Sequence, residues 1–248
     1  MLTDVYLEQS LSRIIDWNMK ACKARYGHPY PRLGLETSQS QLGIWYSERE
    51  EHATAETLTL MLDGAIDELV TVGWLAVLEM LDREEPEDPS VGIDVWTVYA
   101  LTEFKSKPLH YWYSCHGVVG RAILRVVEQL YYLERFGIDV CYAIDDVLLD
   151  NESKYTTQKD AEFTINYMER LEGAPEYSLV ARRVCDLSDQ WAVVRKADLK
   201  IMKPRSYFDK AALGRGLNLT VHIPPAILNH PIQPDSRSVE DDELSEAS

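Results

Sequence analysis

The chain lacks the features that mark several protein classes. No run of 18 consecutive apolar residues occurs in its 248 residues, so no membrane-spanning helix is expected. The opening Met1-Leu2-Thr3-Asp4 places acid at Asp4, with Glu8 close behind, where a secretory leader would be basic and then apolar. No leader is readable there, and a cytoplasmic location is expected. Cysteine is scarce. Cys22, Cys115, Cys141 and Cys185 are scattered, with no C-x-x-C pair, which indicates neither a zinc module nor a disulfide framework. Cations are also short: 25 Lys and Arg stand against 41 Asp and Glu, a formal charge of −16. Nucleic-acid affinity rests on Lys and Arg displacing counterions, so such a chain repels polyphosphate at long range. The same excess of charge keeps a protein dispersed.

What is present is an ordinary globular composition, 46% apolar and 27% charged. The length allows one large domain or two small ones. The charge is uneven along it. Residues 1–110 hold 9 Lys/Arg and 19 Asp/Glu, and residues 111–180 hold 6 and 12. Residues 181–230 reverse the balance with 9 and 4, and the tail 231–248 holds 1 and 6. Only 181–230 supplies a cationic face.

Apolar spacing types the first half. Val5, Leu7, Leu11, Ile14, Ile15, Met19 and Cys22 fall mostly three and four apart, which predicts a helix from Thr3 to about Arg25. Gly27-His28-Pro29-Tyr30-Pro31 ends it, and a turn-rich stretch is expected to about Gln41. A second helix is expected from Thr54, whose hydroxyl can cap free amides, to about Val72, with Asp63-Gly64 as a weak point and Gly73 as a left-handed cap. Trp74–Leu81 reads as a strand, with a helical continuation left open. Asp82–Gly92 is an acidic, proline-bearing loop. Ile93–Leu101, rich in β-branched and aromatic residues, reads as the best strand. The order then recurs: a helix over Gly117–Phe136 ended by Gly137, strand-like runs at Ile138–Leu149 and Ala161–Met168, and a polar loop at Asp150–Asp160. Tyr177–Arg183 reads as a short helix and Thr220–Ile223 as a strand. From His230 the chain is too polar to offset its ordering entropy.

The sequence Ala65-Ile66-Asp67-Glu68-Leu69-Val70-Thr71-Val72-Gly73-Trp74-Leu75, followed by Val98-Tyr99-Ala100-Leu101-Thr102, resembles the winged-helix superfamily. It offers an amphipathic helix, a "G-W-L" exit and a closing "Y-x-L-T" over residues 54–102. A second copy by pattern lies at 117–168. The resemblance implies an α+β fold of two tandem winged helices with a C-terminal extension. It divides the chain into 1–108, 109–180, a basic extension 181–229 and a disordered acidic tail 230–248.

A winged helix that reads DNA puts its second helix in the major groove. Here that helix would carry Asp63, Asp67 and Glu68 and no Lys or Arg, whereas base edges call for Arg, Lys, Asn or Gln. The expectation is therefore a non-catalytic interaction subunit that meets a protein partner through Asp63, Asp67, Glu68 and Trp74 and reaches DNA through that partner. The acidic tandem winged-helix partners of condensin-like ATPases are used in this way, and the chain is similar to them in general pattern. The alternative is a DNA-binding regulator or replication factor. Its cations would be Arg121 and Arg125, four apart on one helix face, with Lys196, Lys200, Lys203, Arg205 and Lys210, among which Tyr207 and Phe208 are interleaved. A third reading is a metal-dependent nuclease, with Asp139, Glu152 and Lys154 behind a helix bearing Glu128.

Other signals are thinner. Asp145, Asp146, Asp150 and Glu152 lack the order and glycine of a calcium loop. His110, Cys115 and His116 lack further ligands nearby, and Ser114-Cys115-His116 is no nucleophile elbow. Gly214 and Gly216 lack phosphate-loop spacing. No cofactor or metal is expected, no membrane contact is expected, and a homo-oligomer is left open.

Overall fold

The computed structural model describes residues 1–27, 35–83, 93–114, 117–172, 178–212 and 217–228, with side chains at all of these except 35–40, 83, 93–95, 169, 171–172 and 209–212. The one-sided stripe at the start forms helix α1, Asp4–Tyr26, which buries Leu7, Leu11, Ile14, Ile15 and Cys22. Asp4 in its first turn and Lys23 and Arg25 in its last suit the helix dipole. Gly27 ends it at φ 87°, its N–H donating to the Lys23 carbonyl at 3.0 Å, a left-handed cap that glycine adopts without a Cβ clash.

Helix α2, Leu35–Ala53, takes up residues expected as turn from 35 to 41. Helix α3 runs unbroken from Leu58 to Arg83. Thr57 caps it, its hydroxyl accepting the Leu60 N–H at 3.2 Å, while the Thr54 hydroxyl donates back to the Glu50 carbonyl of α2 at 2.8 Å. Every residue from Leu69 to Leu78 is buried. A helix apolar all round is a core helix, and that is why Trp74–Leu81 imitates a strand in sequence.

Gly73 therefore caps nothing: it lies mid-helix, where an added Cβ would stand 3.0 Å from Leu11 Cδ2 of α1. Gly64 does not break the helix either, because it lets α2 approach. A Cβ there would meet the His52 Cα at 2.8 Å.

The expected strand at 93–101 is helix α4, Ile93–Phe104. Thr97, Ala100, Leu101 and Phe104 are its buried residues, and their spacing of three and four is helical despite β-favouring side chains. Short helix α5, Leu109–Tyr113, follows. Helix α6, Val118–Arg135, matches expectation and buries Val119, Ala122, Ile123, Val126, Val127, Leu130 and Leu133. Gly137, at φ 81°, closes it with its N–H on the Glu134 carbonyl at 2.8 Å.

The strand expected at 138–149 is helix α7, Val140–Glu152, and that at 161–168 is helix α8, Gln158–Glu172. In α7 the buried set Val140, Ala143, Ile144, Val147 and Leu148 steps by three, one, three and one, a helical stripe in which Asp145-Asp146 face outward enough to remain half-exposed. Thr220–Ile223, expected as a strand, is mostly a 3-10 turn, Leu219–His222. The strands on which the winged-helix order depends, at 74–81, 93–101, 138–149 and 161–168, are thus all helical.

A sheet forms elsewhere. Strands β1 (Tyr155–Thr156), β2 (Leu179–Cys185), β3 (Gln190–Arg195) and β4 (Ile201–Met202) pair antiparallel. β2 and β3 form a hairpin with Leu179 opposite Arg195 and Cys185 opposite Gln190, where a short helix was expected at 177–183. β1 and β4 pair with successive stretches of β3. Side chains alternate across the pleat. Ala192 and Val194 pack with Ala21 and Ala24 of α1, while Val193 and Leu179 pack with Ala161 of α8. Helix α9, Arg205–Ala212, follows the sheet. The fold is mostly helical with a small antiparallel sheet, broadly α+β.

The chain divides into two compact units. Unit 1 comprises Met1–Ile14, Leu33–Val147 and Asn218–Ser248, and unit 2 comprises Ile15–Arg32 and Leu148–Leu217. Unit 1 contains 29 acids and 9 Lys/Arg, a formal −20. Unit 2 contains 12 acids and 16 Lys/Arg, a formal +4. The expected loop at 82–92 lies largely outside the described residues, as do Cys115, His116, the Lys210 side chain and the tail from 229.

Candidate functional site

Among the described residues Glu68 is the best-buried carboxylate of unit 1, with 0% exposure. It is surrounded by polar partners from two other helices, α2 and α6. His52 Nδ1 of α2 lies 2.7 Å from Oε2, Trp45 Nε1 of α2 donates to Oε1 at 3.2 Å, and Arg125 of α6 donates to Oε1. Burial pushes this carboxyl up, but the His52 hydrogen bond, the Arg125 charge and the Trp45 N–H together hold it below the ordinary carboxylate value. Glu68 and His52 are buried, His52 being 7% exposed, while the Arg125 side chain is 37% exposed. His52 Nε2 has no hydrogen-bond partner. Such a constellation fixes how α2, α3 and α6 meet, because an ion pair broken inside a core is costly.

The residues expected to touch a protein partner are therefore distributed otherwise than α3's sequence suggests. Glu68 and Trp74 belong to the core, Trp74 being 2% exposed. Asp63 and Asp67 are half-buried and have partners of their own. Exposed apolar residues of unit 1 occur on several helices, Val5, Tyr46, Leu60, Tyr99 and Tyr142 among them, and α6 with its C-cap Phe136 carries a group of them along one side. Leu124, Tyr132 and Phe136 are 39%, 55% and 49% exposed and follow a spacing of eight and four, which keeps them on one face. The rings of Tyr132 and Phe136 meet edge to face with centroids 4.9 Å apart. Arg121 is exposed on the same helix, whereas Arg125 is the half-buried partner of Glu68. The two arginines that sequence spacing grouped thus have different work.

Unit 1 also holds an open cleft of about 400 Å³ lined in part by Glu8, Arg13, Lys105 and Lys107. Its charges are already matched: Arg13 with Asp145, Lys107 with Glu103, and Glu8 with the Leu109 N–H.

The basic residues of unit 2 gather around α8 and α9. The Lys203 ammonium lies 4.0 Å from the Tyr207 ring centroid, 2.7 Å from its hydroxyl and 3.1 Å from Asp150. Burial pulls the Lys203 amine down, and the hydrogen bonds with Tyr207 and Asp150 more than reverse this, leaving it raised. The Arg205 guanidinium stands 4.6 Å from the centroid of Tyr167, and its backbone N–H donates to the Thr164 hydroxyl at 2.8 Å. Lys196 and Lys200 are exposed, in and after the β3–β4 turn. That turn is held by Arg195 donating to Asp198 at 2.8 Å, and this contact holds the Asp198 carboxyl down at about 2. Sequence spacing found these cations but missed Tyr167 and Phe163 of α8, whose helical period was masked by the β-rich look of 161–168.

For the nuclease reading, Lys154 donates to Asn151 Oδ1 at 2.6 Å and covers the Trp17 ring at 5.4 Å. Among the described residues no group of three or more His, Cys, Asp or Glu gathers as a metal site. No described helix is long and apolar enough to cross a membrane. No family model matches the chain, and neither curated proteins nor solved structures give a match.

Proposed function

We propose that the chain is a non-catalytic interaction subunit whose acidic unit 1 docks a protein partner through the outward face of α6. The observation that carries this reading is the Leu124–Tyr132–Phe136 stripe, exposed on a unit of formal charge −20. Aromatic side chains are enriched where proteins bind one another, and the formal −20 of unit 1 as a whole favours a partner rich in Lys and Arg. The buried Glu68 and His52 pair with each other and Glu68 with Arg125 across α2, α3 and α6, which supports a structural role for that cluster. The winged-helix arrangement draws no support from helices at 74–81 and 93–101, and the interaction reading does not need it. Action on DNA then comes through the partner.

The test is affinity purification with mass spectrometry, with and without nuclease treatment. Partners retained after nuclease and lost from a Tyr132→Ala/Phe136→Ala variant support the reading. Retention by that variant would place the contact elsewhere.

A second reading, direct nucleic-acid binding by unit 2, is favoured by its formal +4 and by Arg205 covering Tyr167. Retention on heparin with a steep salt dependence checks it.

A further inference from the structure

Helix α8 carries more than the contacts that hold it to the sheet. Its inward residues Ala161, Ile165 and Met168 pack against Leu179 and Val193. Lys159, Phe163, Tyr167 and Arg170 follow at spacings of four, four and three, which places them on one face. Lys159 and Arg170 are exposed, Phe163 is 55% exposed and Tyr167 is half-buried. The two rings are stacked at 20° with centroids 6.4 Å apart. Arg205 of α9 lies over Tyr167, adding a third cation.

Two carboxylates of α8 with described side chains, Asp160 and Glu162, are engaged. Asp160 accepts from the Thr156 and Ser206 hydroxyls, each at 2.6 Å, and Glu162 accepts from Gln158 at 2.8 Å. A face with cations at both ends and aromatic rings between them is unusual in a chain of charge −16.

We propose that this face of α8, with Arg205, is a stacking platform for single-stranded nucleic acid. The inference rests on the second reading above and supplies its site. Stacking on side chains requires unpaired bases with free π-faces, and every base has one, so the platform is sequence-tolerant. A duplex keeps those faces inside its own stack. The stretch from Lys159 to Arg170 spans about 16 Å at 1.5 Å per residue, room for about four or five nucleotides at a 3.4 Å rise. Cations at the ends meet backbone phosphates while the rings meet bases. Phe163 is the principal stacking residue, because it is the more exposed of the two stacked rings.

The experiment is fluorescence anisotropy of the full chain with labelled oligo(dT), oligo(rU) and a duplex of equal length, at about 50 mM salt and above. Tighter binding of a single strand than of the duplex is expected, and the two homopolymers distinguish DNA from RNA. Phe163→Ala is expected to weaken binding about tenfold, within the range for one stacked base, and Phe163→Trp to retain it. Lys159→Glu with Arg170→Glu should weaken binding and flatten the log–log salt slope by about 1.4, two phosphates at about 0.7 each. All three substituted positions are exposed, and circular dichroism checks that each variant folds. Single-strand binding that Phe163→Ala leaves unchanged overturns the platform while leaving nucleic-acid binding by unit 2 in place. No binding to any oligonucleotide overturns both. Duplex bound as tightly as single strand overturns the stacking role.

Discussion

The two units of this chain handle charge in opposite ways. Unit 1 is helical and formally −20, and it spends its best-placed charges internally. Arg125, one of its 9 cations, neutralises Glu68 within the core, and Arg13 and Lys107 pair with Asp145 and Glu103. Unit 2 is built on a small sheet, is formally +4, and leaves Lys159, Arg170, Lys196 and Lys200 at the surface. The difference teaches that a carboxylate count along a helix says little about what the helix meets. The acids of α3 invited a reading as a contact surface, yet the decisive one is buried.

The largest effects should come from the core of unit 1. Trp74→Ala removes a side chain 2% exposed and is expected to destabilise by about 3–5 kcal/mol. Glu68→Ala strips the shared partner of His52 and Arg125 and is expected to cost about 3–5 kcal/mol. Urea unfolding measures both. Wild-type stability from either variant would mean that α3 is exposed, and the contrast between the units would fail.

Smaller effects sharpen the picture. Gly64→Ala forces a Cβ to within 2.8 Å of the His52 backbone and should cost about 1–3 kcal/mol. Gly73→Ala meets only the end of the Leu11 side chain. There the gain in helix propensity, up to about 1 kcal/mol, offsets the crowding, so near-neutrality is expected. Near-neutrality at Gly64 as well would show that α2 and α3 are not in close contact.

The Glu68 carboxyl lies below its ordinary value of 4.5 in the folded state. Its contribution is therefore complete above pH 4.5 and is lost as pH falls through the lower folded value. Unfolding at pH 7 and pH 3 should show Glu68→Gln destabilised against the wild type at the higher pH and less so at the lower. A gap that widens on acidification would reverse the assignment. At the bottom of the scale, Arg121→Ala on the exposed side of α6 is expected to change stability by less than about 0.5 kcal/mol.

Helices α1 and α6 were legible in the sequence because each buries one face and wets the other. Leu7, Leu11 and Ile14, like Val119, Ile123, Val126 and Leu130, repeat at helical spacing. α3 was half legible: its first turns show a stripe, but past Leu69 both faces are buried and the period vanishes. α4 was misread because Val95, Trp96, Thr97, Val98 and Tyr99 favour strands by composition, while Thr97, Leu101 and Phe104 pack as a helix. The hairpin at 179–195 was missed because Arg182 and Arg183 interrupt its apolar pattern; Arg182 donates to the Ala24 carbonyl at 2.8 Å. The Glu68 cluster was illegible for a different reason. Its partners His52 and Arg125 are 16 and 57 residues away, and no local pattern joins them. The cations of unit 2 were visible as a run, but the rings beside them on α8 emerge only when that segment is helical.

A paired binding assay on two variants tests the division of labour most directly. Lys159→Glu/Arg170→Glu alters unit 2 alone, and Tyr132→Ala/Phe136→Ala alters unit 1 alone. Each is compared with the intact chain for retention on single-stranded DNA and for capture of nuclease-resistant protein partners. The unit 2 variant is predicted to lose the nucleic acid and keep the protein, and the unit 1 variant to do the reverse. Loss of both activities from either well-folded variant would contradict the account.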